Sequence, residues 1–148
     1  MDAAFSCFGL GWHYDAGIQF LRLVPAGYFD LFPDLQVTLK HWGELILFYA
    51  ERIANMDRVS GLNSSMATYF RRNLYVTARG MFMPHYLEQA ARVVGRVRLL
   101  FSIDYPYQHR SGGDARRFLE NSGLDQADRQ EFANGNWERL TGNLPYTF

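Results

Sequence analysis

The sequence has little that would direct it to a membrane, to nucleic acid or into an oxidising compartment. Cys7 is the only cysteine, so an internal disulfide is excluded and a reducing compartment is expected. No apolar run approaches the roughly 20 residues of a membrane-spanning helix, and the N-terminus lacks the basic region of a signal peptide. With 15 basic and 15 acidic residues the formal charge is zero, so no net field attracts nucleic acid or an anionic membrane. We expect a cytoplasmic protein that binds neither.

The composition that is present is typical of a folded domain. The chain has 148 residues, of which 48 % are hydrophobic and 16 % aromatic, enough for one domain with a core. No repeat or linker is visible, so residues 1–148 are predicted to be a single domain. A net charge near zero also favours self-association, and we expect a homo-oligomer.

Three segments are continuously apolar rather than alternating, which is typical of buried parallel strands. They are residues 35–39, 74–78 and 97–103. Helical patterns lie around them, at residues 16–29, 44–58, 65–72, 84–94, 114–121 and 125–134, and residues 136–140 are interpreted as a final short turn. Pro25 and Gly27 should bend or shorten the first of these helices. This alternation predicts an α/β fold with right-handed crossovers. Three strands leave two unpaired edges, so we expect the chain to be part of a larger α/β unit or to assemble with another copy.

Two predicted strands are followed by side chains suited to catalysis. His41 follows the first strand and Asp104 the third, and the carboxyl ends of parallel strands in α/β barrels converge on one mouth. An imidazole there can act as an acid/base or a ligand, and a carboxylate as an oxygen ligand or proton carrier. Glu44, just after Gly43, could reach back to His41 and fix its tautomer. The second strand ends near Arg79, a basic group rather than a ligand.

The same residues also have simpler interpretations. Residues 41–44 could be no more than a capped helix start, and Asp104 could organise a turn before a proline. Three further histidines show no ligand spacing and are interpreted as structural or surface residues: His13, His85 and His109.

Several motifs resemble one known family. FLRL at residues 20–23 and GYFDLFPDL at residues 27–35 are similar to a helix and turn of the metal-dependent amidohydrolase-related (amidohydrolase 2) family. The similarity is to the branch that contains aminocarboxymuconate semialdehyde decarboxylase and the dihydroxybenzoate decarboxylases. LKHWGE at 39–44 is similar to the GHxGE motif of that branch, and NLYVT at 73–77, LFSIDYP at 100–106 and GNWERL at 135–140 continue the match. Each motif is weak alone, but their order over nearly the whole chain is specific.

The resemblance implies a (β/α)₈ TIM barrel, of which this chain would supply strands six to eight with their helices. The barrel would be incomplete in the isolated chain. In relatives the histidine of GHxGE is catalytic, here His41, and the glutamate orients it, here Glu44. The aspartate of the strand-eight motif is a metal ligand and in some members a proton donor, here Asp104. Three further residues are assigned to the substrate pocket: Tyr107, Trp42 and Arg79.

The departures from the family pattern concern the metal. The ligands that the family draws from strands one and five are not in this sequence, and His13 precedes the helix before strand six, so it is not a convincing strand-five ligand. Lys40 replaces a glycine of the motif, and Arg79 stands where the family has serine. Either cation could alter metal affinity or bind a substrate carboxylate.

The resemblance therefore predicts a metal-dependent decarboxylase, a carbon–carbon lyase, acting on a small aromatic or unsaturated carboxylic acid. Its cofactor would be a divalent metal, with zinc expected before manganese or magnesium. One alternative is a metal-dependent hydrolase of a lactone or ester on the same scaffold. The other is a catalytically inactive remnant without metal, which folds by pairing or serves as an interaction module.

Overall fold

Three short parallel strands form the sheet on which the rest of the chain packs. The computed structural model describes residues 2–58, 61–107 and 112–142. Strands β1 Val37–Leu39, β2 Leu74–Thr77 and β3 Leu99–Leu100 lie side by side in sequence order, and both pairs are parallel. One strand lies inside each predicted segment, so the α/β prediction is confirmed. Within the described residues β1 and β3 each have one neighbour, which leaves two edges without a strand partner.

Helices connect and flank the strands. They are α1 Asp2–Ala4, α2 Gly11–Leu23, α3 Tyr28–Leu31, α4 His41–Glu44, α5 Ala50–Ala54, α6 Met66–Asn73, α7 Pro84–Val93, α8 Asp114–Glu120, α9 Gln126–Gln130 and α10 Asn136–Thr141. Short 3₁₀ segments lie at Asn55–Arg58 and Arg96–Arg98, and π-type segments at Phe5–Gly9 and Glu131–Gly135. No helix in the described part of the chain is both long enough and apolar enough to cross a bilayer.

Two predicted helices differ from the observed ones. The prediction of one helix over residues 44–58 is wrong, because Glu44 and Leu45 have positive φ angles of 52° and 73°, which a right-handed α-helix cannot contain. The segment labelled α4 is a single turn in which all four residues have positive φ angles, and the chain becomes a right-handed helix only at Ala50. The predicted helix over 16–29 begins earlier, at Gly11, and ends at Leu23, just before Pro25.

The two faces of the sheet are covered differently. One face carries apolar side chains that pack into the core: Val37, Leu39, Leu74, Val76 and Leu99. The opposite face carries Thr38, which is exposed, and Thr77, which is half-buried. A cavity of about 360 Å³ is lined by these two threonines together with Leu100, Ser102 and Trp137 among others. One side of the sheet is therefore a closed core, and the other is partly open.

Two buried asparagines attach neighbouring loops to the strands. The side-chain amide of Asn136 donates to the carbonyl oxygens of Arg96 and Leu99, both at 2.9 Å. Asn73 donates in the same way to Pro33 and Leu35, at 3.0 and 2.9 Å. Both asparagines are fully buried, and each donates to two backbone carbonyl groups. These contacts hold the entries to β1 and β3 in place.

Candidate active site

Four ionisable side chains lie where the three strands end, and all four residues have a left-handed backbone conformation. His41 and Glu44 follow β1 with φ angles of 44° and 52°, Arg79 follows β2 with 46°, and Asp104 follows β3 with 58°. A residue other than glycine held in this region costs on the order of 1–3 kcal/mol, and such residues cluster at functional sites. Trp42 and Leu45 share this conformation, so among the described non-glycine residues with positive φ the ionisable ones are these four. This observation is independent of the resemblance.

The turn after β1 brings Glu44 back to His41. Gly43 has a φ of 89°, and a Cβ there would lie only 2.6 Å from Leu47 Cγ, so the turn requires glycine. The turn brings Oε1 of Glu44 to 3.0 Å from Nδ1 of His41. The contact predicted between these two side chains is therefore present.

Glu44 is a buried carboxylate, with 4 % of the residue exposed. Burial raises its pKa, but the hydrogen bonds from His41 and His13 and the charges of those rings outweigh burial, and the net pKa lies below the usual value. Glu44 is therefore ionised at neutral pH and acts as an acceptor between the two imidazoles.

His13 is the residue that the sequence did not assign to the site. Its Nδ1 lies 2.6 Å from Oε2 of Glu44, and its ring packs edge-on against His41 with centroids 4.3 Å apart. Its Nε2 lies 2.9 Å from the carbonyl oxygen of Phe8. Interpreting His13 as a structural or surface residue missed these contacts.

The contact of His13 depends on how closely α2 approaches the turn after β1. Gly17 lies one turn after His13 on α2, and a Cβ on Gly17 would be 2.5 Å from the carbonyl oxygen of Glu44. Residues four apart share one face of a helix. The sequence signal for this contact was therefore a glycine four residues after a histidine. That spacing does not show which residue the histidine contacts.

Asp104 lies on the other side of His41. Its Oδ2 is 3.9 Å from Nε2 of His41, and its Oδ1 forms an ion pair with the Arg79 guanidinium. Asp104 is 8 % exposed. The structure thus brings His41 and Asp104 together at the strand ends, and it gives Arg79 a partner within the protein.

The two aromatic residues assigned to the pocket lie in different surroundings. Trp42 is buried, its ring packs against Phe118 and Phe132, and its N–H donates to the carbonyl oxygen of Met81 at 2.8 Å. This favours a packing role over contact with a substrate. Tyr107 is 82 % exposed.

His85 does not join this cluster, since it lies on α7 and packs against Tyr86. His109 lies outside the described residues.

The cluster has the chemistry of metal ligands and of an acid/base pair. Donor atoms of His13, His41 and Glu44 lie within 4.8 Å of one another, and the carboxylate of Asp104 lies near the second nitrogen of His41. Imidazole and carboxylate groups bind zinc and manganese, and they are also the side chains that most often transfer protons in catalysis.

Comparison with known proteins identifies similar sequences. The family model described as "Amidohydrolase" matches residues 4–142. The decarboxylase orsB of Emericella nidulans is 31 % identical over 121 residues, covering 78 % of this chain and 37 % of that protein. The gamma-resorcylate decarboxylase of a Polaromonas species is 30 % identical over 132 residues, covering 85 % of this chain and 40 % of that protein. The chain thus spans about 40 % of the length of these relatives.

A similar solved structure is a 5-carboxyvanillate decarboxylase from Novosphingobium aromaticivorans. It matches with a TM-score of 0.83 and 25 % identity, over 89 % of this chain and 40 % of that one. That structure is a complex with manganese and 4-hydroxy-3-methoxy-5-nitrobenzoic acid.

Proposed function

Because this chain belongs to the amidohydrolase family, we propose that it forms part of a metal-dependent decarboxylase of small aromatic carboxylic acids. The observation that carries the proposal is the position of His41, whose Nδ1 is bound by Glu44 and whose Nε2 lies 3.9 Å from Asp104. The relatives named above are decarboxylases by name.

The three strands would correspond to strands six to eight of a (β/α)₈ barrel. Their parallel order, the two edges without partners and the partly open second face agree with this assignment. In a complete barrel the open face would point to the interior, where side chains from the other strands would cover Thr38 and Thr77.

The substrate class follows from the relatives. Gamma-resorcylate and 5-carboxyvanillate are aromatic acids that carry an oxygen substituent on the ring. A small hydroxylated aromatic acid is therefore the first substrate to test. An unsaturated non-aromatic acid, and a lactone or ester for a hydrolase, are the broader choices predicted from the sequence.

The residues of this chain fit a divalent metal only in part. Asp104 would hold it through a carboxylate oxygen, on the side that faces Nε2 of His41. Such sites usually have at least three protein ligands, so Asp104 would need further ligands. When bound, the metal would polarise the substrate carboxylate and a neighbouring oxygen. The manganese in the related structure supports a divalent metal, whereas the choice of zinc stays a prediction.

His41 would serve in proton transfer. Decarboxylation breaks the bond between the ring carbon and the carboxylate, releases CO₂ and leaves an electron pair on the ring carbon, which then takes up a proton. Glu44 occupies Nδ1 of His41, so Nε2 is the nitrogen available for exchange. Asp104, paired with Arg79, would bind the metal or pass the proton on, with His41 as its acid/base partner.

The alternative is a chain without activity of its own. This alternative is supported by the small number of metal ligands at the strand ends. Among the described residues, Asp104 is the one carboxylate near Nε2 of His41, and one carboxylate does not hold a metal tightly. Self-association, a cytoplasmic location and a single domain over residues 1–148 also stay predictions.

The test combines metal analysis with an activity assay. The purified chain is dialysed with manganese or zinc, its retained metal is measured, and CO₂ release from 2,6-dihydroxybenzoate is followed. Retained stoichiometric metal with CO₂ release supports the enzyme, and absence of both supports the inactive chain. Cleavage of a lactone or ester without CO₂ release would support the hydrolase.

The variant His41→Ala tests whether His41 transfers the proton. General acid–base catalysis contributes about 10²- to 10⁴-fold to a rate, so we expect kcat to fall by that factor while most of the metal remains. His85→Ala, on α7 and outside the cluster, is the matched control and should keep full turnover. Unchanged turnover in His41→Ala would remove His41 from the mechanism.

A further inference from the structure

The Glu44 carboxylate is bound by two imidazoles, although orienting His41 needs only one of its oxygens. Oε1 faces Nδ1 of His41 at 3.0 Å, and Oε2 faces Nδ1 of His13 at 2.6 Å. The mechanism above does not use His13. The contact between His13 and Glu44 is nevertheless the shorter of the two, and His13 lies on a different element, α2.

A carboxylate held at one oxygen is poorly oriented. The last torsion of a glutamate side chain is broad rather than confined to narrow wells, so the contact with His41 leaves rotation about that bond. A contact at the second oxygen removes this rotation. It also supplies a donor to an oxygen that is buried and charged, and such an oxygen is destabilising when it lacks a partner.

His13 is itself held from two sides. Its Nε2 lies 2.9 Å from the carbonyl oxygen of Phe8, in the segment before α2. Phe8 and Glu44 both present acceptors, and a neutral imidazole has one N–H, so the hydrogen bond to Glu44 requires the form of His13 with hydrogen on Nδ1. The close approach of α2 at Gly17, where no Cβ could be accommodated, sets the distance between the helix and Glu44. The ring of His13 also packs edge-on against His41. His13 is thus fixed before it contacts the carboxylate.

We propose that His13 is a positioning residue that locks Glu44 and, through it, holds His41 in the tautomer with hydrogen on Nδ1. This leaves the Nε2 lone pair of His41 directed toward Asp104 at the strand ends. Glu44 and His41 lie between His13 and the reacting atoms. His13 therefore acts by orienting them, as do the partners that fix histidine tautomers in other sites. The catalytic consequence rests on the proposed function, whereas the effect on the tautomer does not.

The tautomer is measured directly by nitrogen NMR of the full chain labelled with ¹⁵N-histidine. The spectrum is recorded at about pH 8, above the ordinary histidine pKa near 6.5. In the wild type, the two ring nitrogens of His41 should give widely separated signals, with the proton on Nδ1. In His13→Ala the separation should shrink toward that of a free imidazole, and Glu44→Gln should do the same. His85→Ala should leave the His41 signals unchanged.

A conservative variant separates positioning from simple packing. His13→Gln keeps an N–H donor that can reach Glu44, so it should restore part of the separation that His13→Ala loses. Circular dichroism of each variant checks the fold. If His13→Ala does not fold, the comparison of wild type, His13→Gln and Glu44→Gln still decides. His41 signals unaffected by His13→Ala, or unaffected by Glu44→Gln, would overturn the proposal.

Metal and activity measurements separate this proposal from the proposed function. If zinc is retained stoichiometrically in the wild type and lost in His13→Ala but not in His85→Ala, His13 is a metal ligand and the positioning role is refuted. If the chain releases CO₂, we expect His13→Ala to lower kcat with little change in KM. Absence of CO₂ release in every variant counts against the decarboxylase alone, because the His41 signals still test His13.

Discussion

Replacing Glu44 by glutamine keeps the shape of the side chain but removes the charge that His13 and His41 share. The buried carboxylate accepts from both rings, at 2.6 and 3.0 Å. An amide has one oxygen to offer, so one imidazole would face an NH₂ group instead. Hydrogen bonds to charged groups contribute about 1.5–3 kcal/mol each. We therefore expect Glu44→Gln to lower the free energy of unfolding by about 2 kcal/mol at neutral pH.

The pKa of Glu44 determines how the stability difference between wild type and Glu44→Gln changes with pH. Burial raises the pKa of Glu44, but the two imidazoles bring the folded-state pKa below the ordinary value of 4.5. On acidification the unfolded chain takes up this proton first, so the stabilisation is present above pH 4.5 and is lost as the pH falls through the folded-state pKa. The difference between wild type and Glu44→Gln should therefore shrink in acid.

Urea unfolding at a series of pH values from neutral to acid measures this difference. Glu120→Gln is the matched control, because Glu120 pairs with Arg116 on an exposed helix surface and such pairs contribute little to stability. A loss in Glu44→Gln that does not change with pH would mean that the charge of Glu44 is not the source of the stabilisation. A loss no larger than that of Glu120→Gln would refute the reasoning altogether.

Two further predictions concern stability away from the site. Asn136→Ala removes both hydrogen bonds to the carbonyls of Arg96 and Leu99. We therefore expect the free energy of unfolding, measured by heat or urea, to fall by about 2–3 kcal/mol. An unchanged stability would contradict the role given to this amide. Burial and the hydrogen bond to Asp30 raise the pKa of Tyr69, so its contribution is present below the ordinary value of 10.0 and is lost as the pH rises through the folded-state pKa. Tyr69→Phe should be less stable at neutral pH, and its deficit should shrink in an alkaline unfolding series.

The parts of the fold that could be predicted are those that local sequence patterns report. Continuous apolar runs located the three strands, because parallel strands typically lie in such runs. The positions of His41 and Asp104 at strand ends followed, since parallel strands place their carboxyl ends at one edge. Glu44 could be assigned to His41 because only three positions separate them.

Other features lay beyond local patterns. The helix predicted over residues 44–58 was wrong, because the apolar spacing is the same whether or not Glu44 and Leu45 adopt positive φ angles. Trp42 was assigned to the pocket by its place in the motif, but it lies in the core. The spacing of residues along the sequence predicts neither the positive φ angles nor the burial of Trp42.

The sequence alone determined the class of fold, the strands and the two groups at their ends, because periodicity and chain order are properties of short segments. Only the tertiary structure decided that α2 packs against the turn after β1 and that His13 meets Glu44 there. The reason is physical: a contact between residues 31 positions apart depends on how a whole helix docks, and docking is set by the summed packing of the core rather than by any one segment.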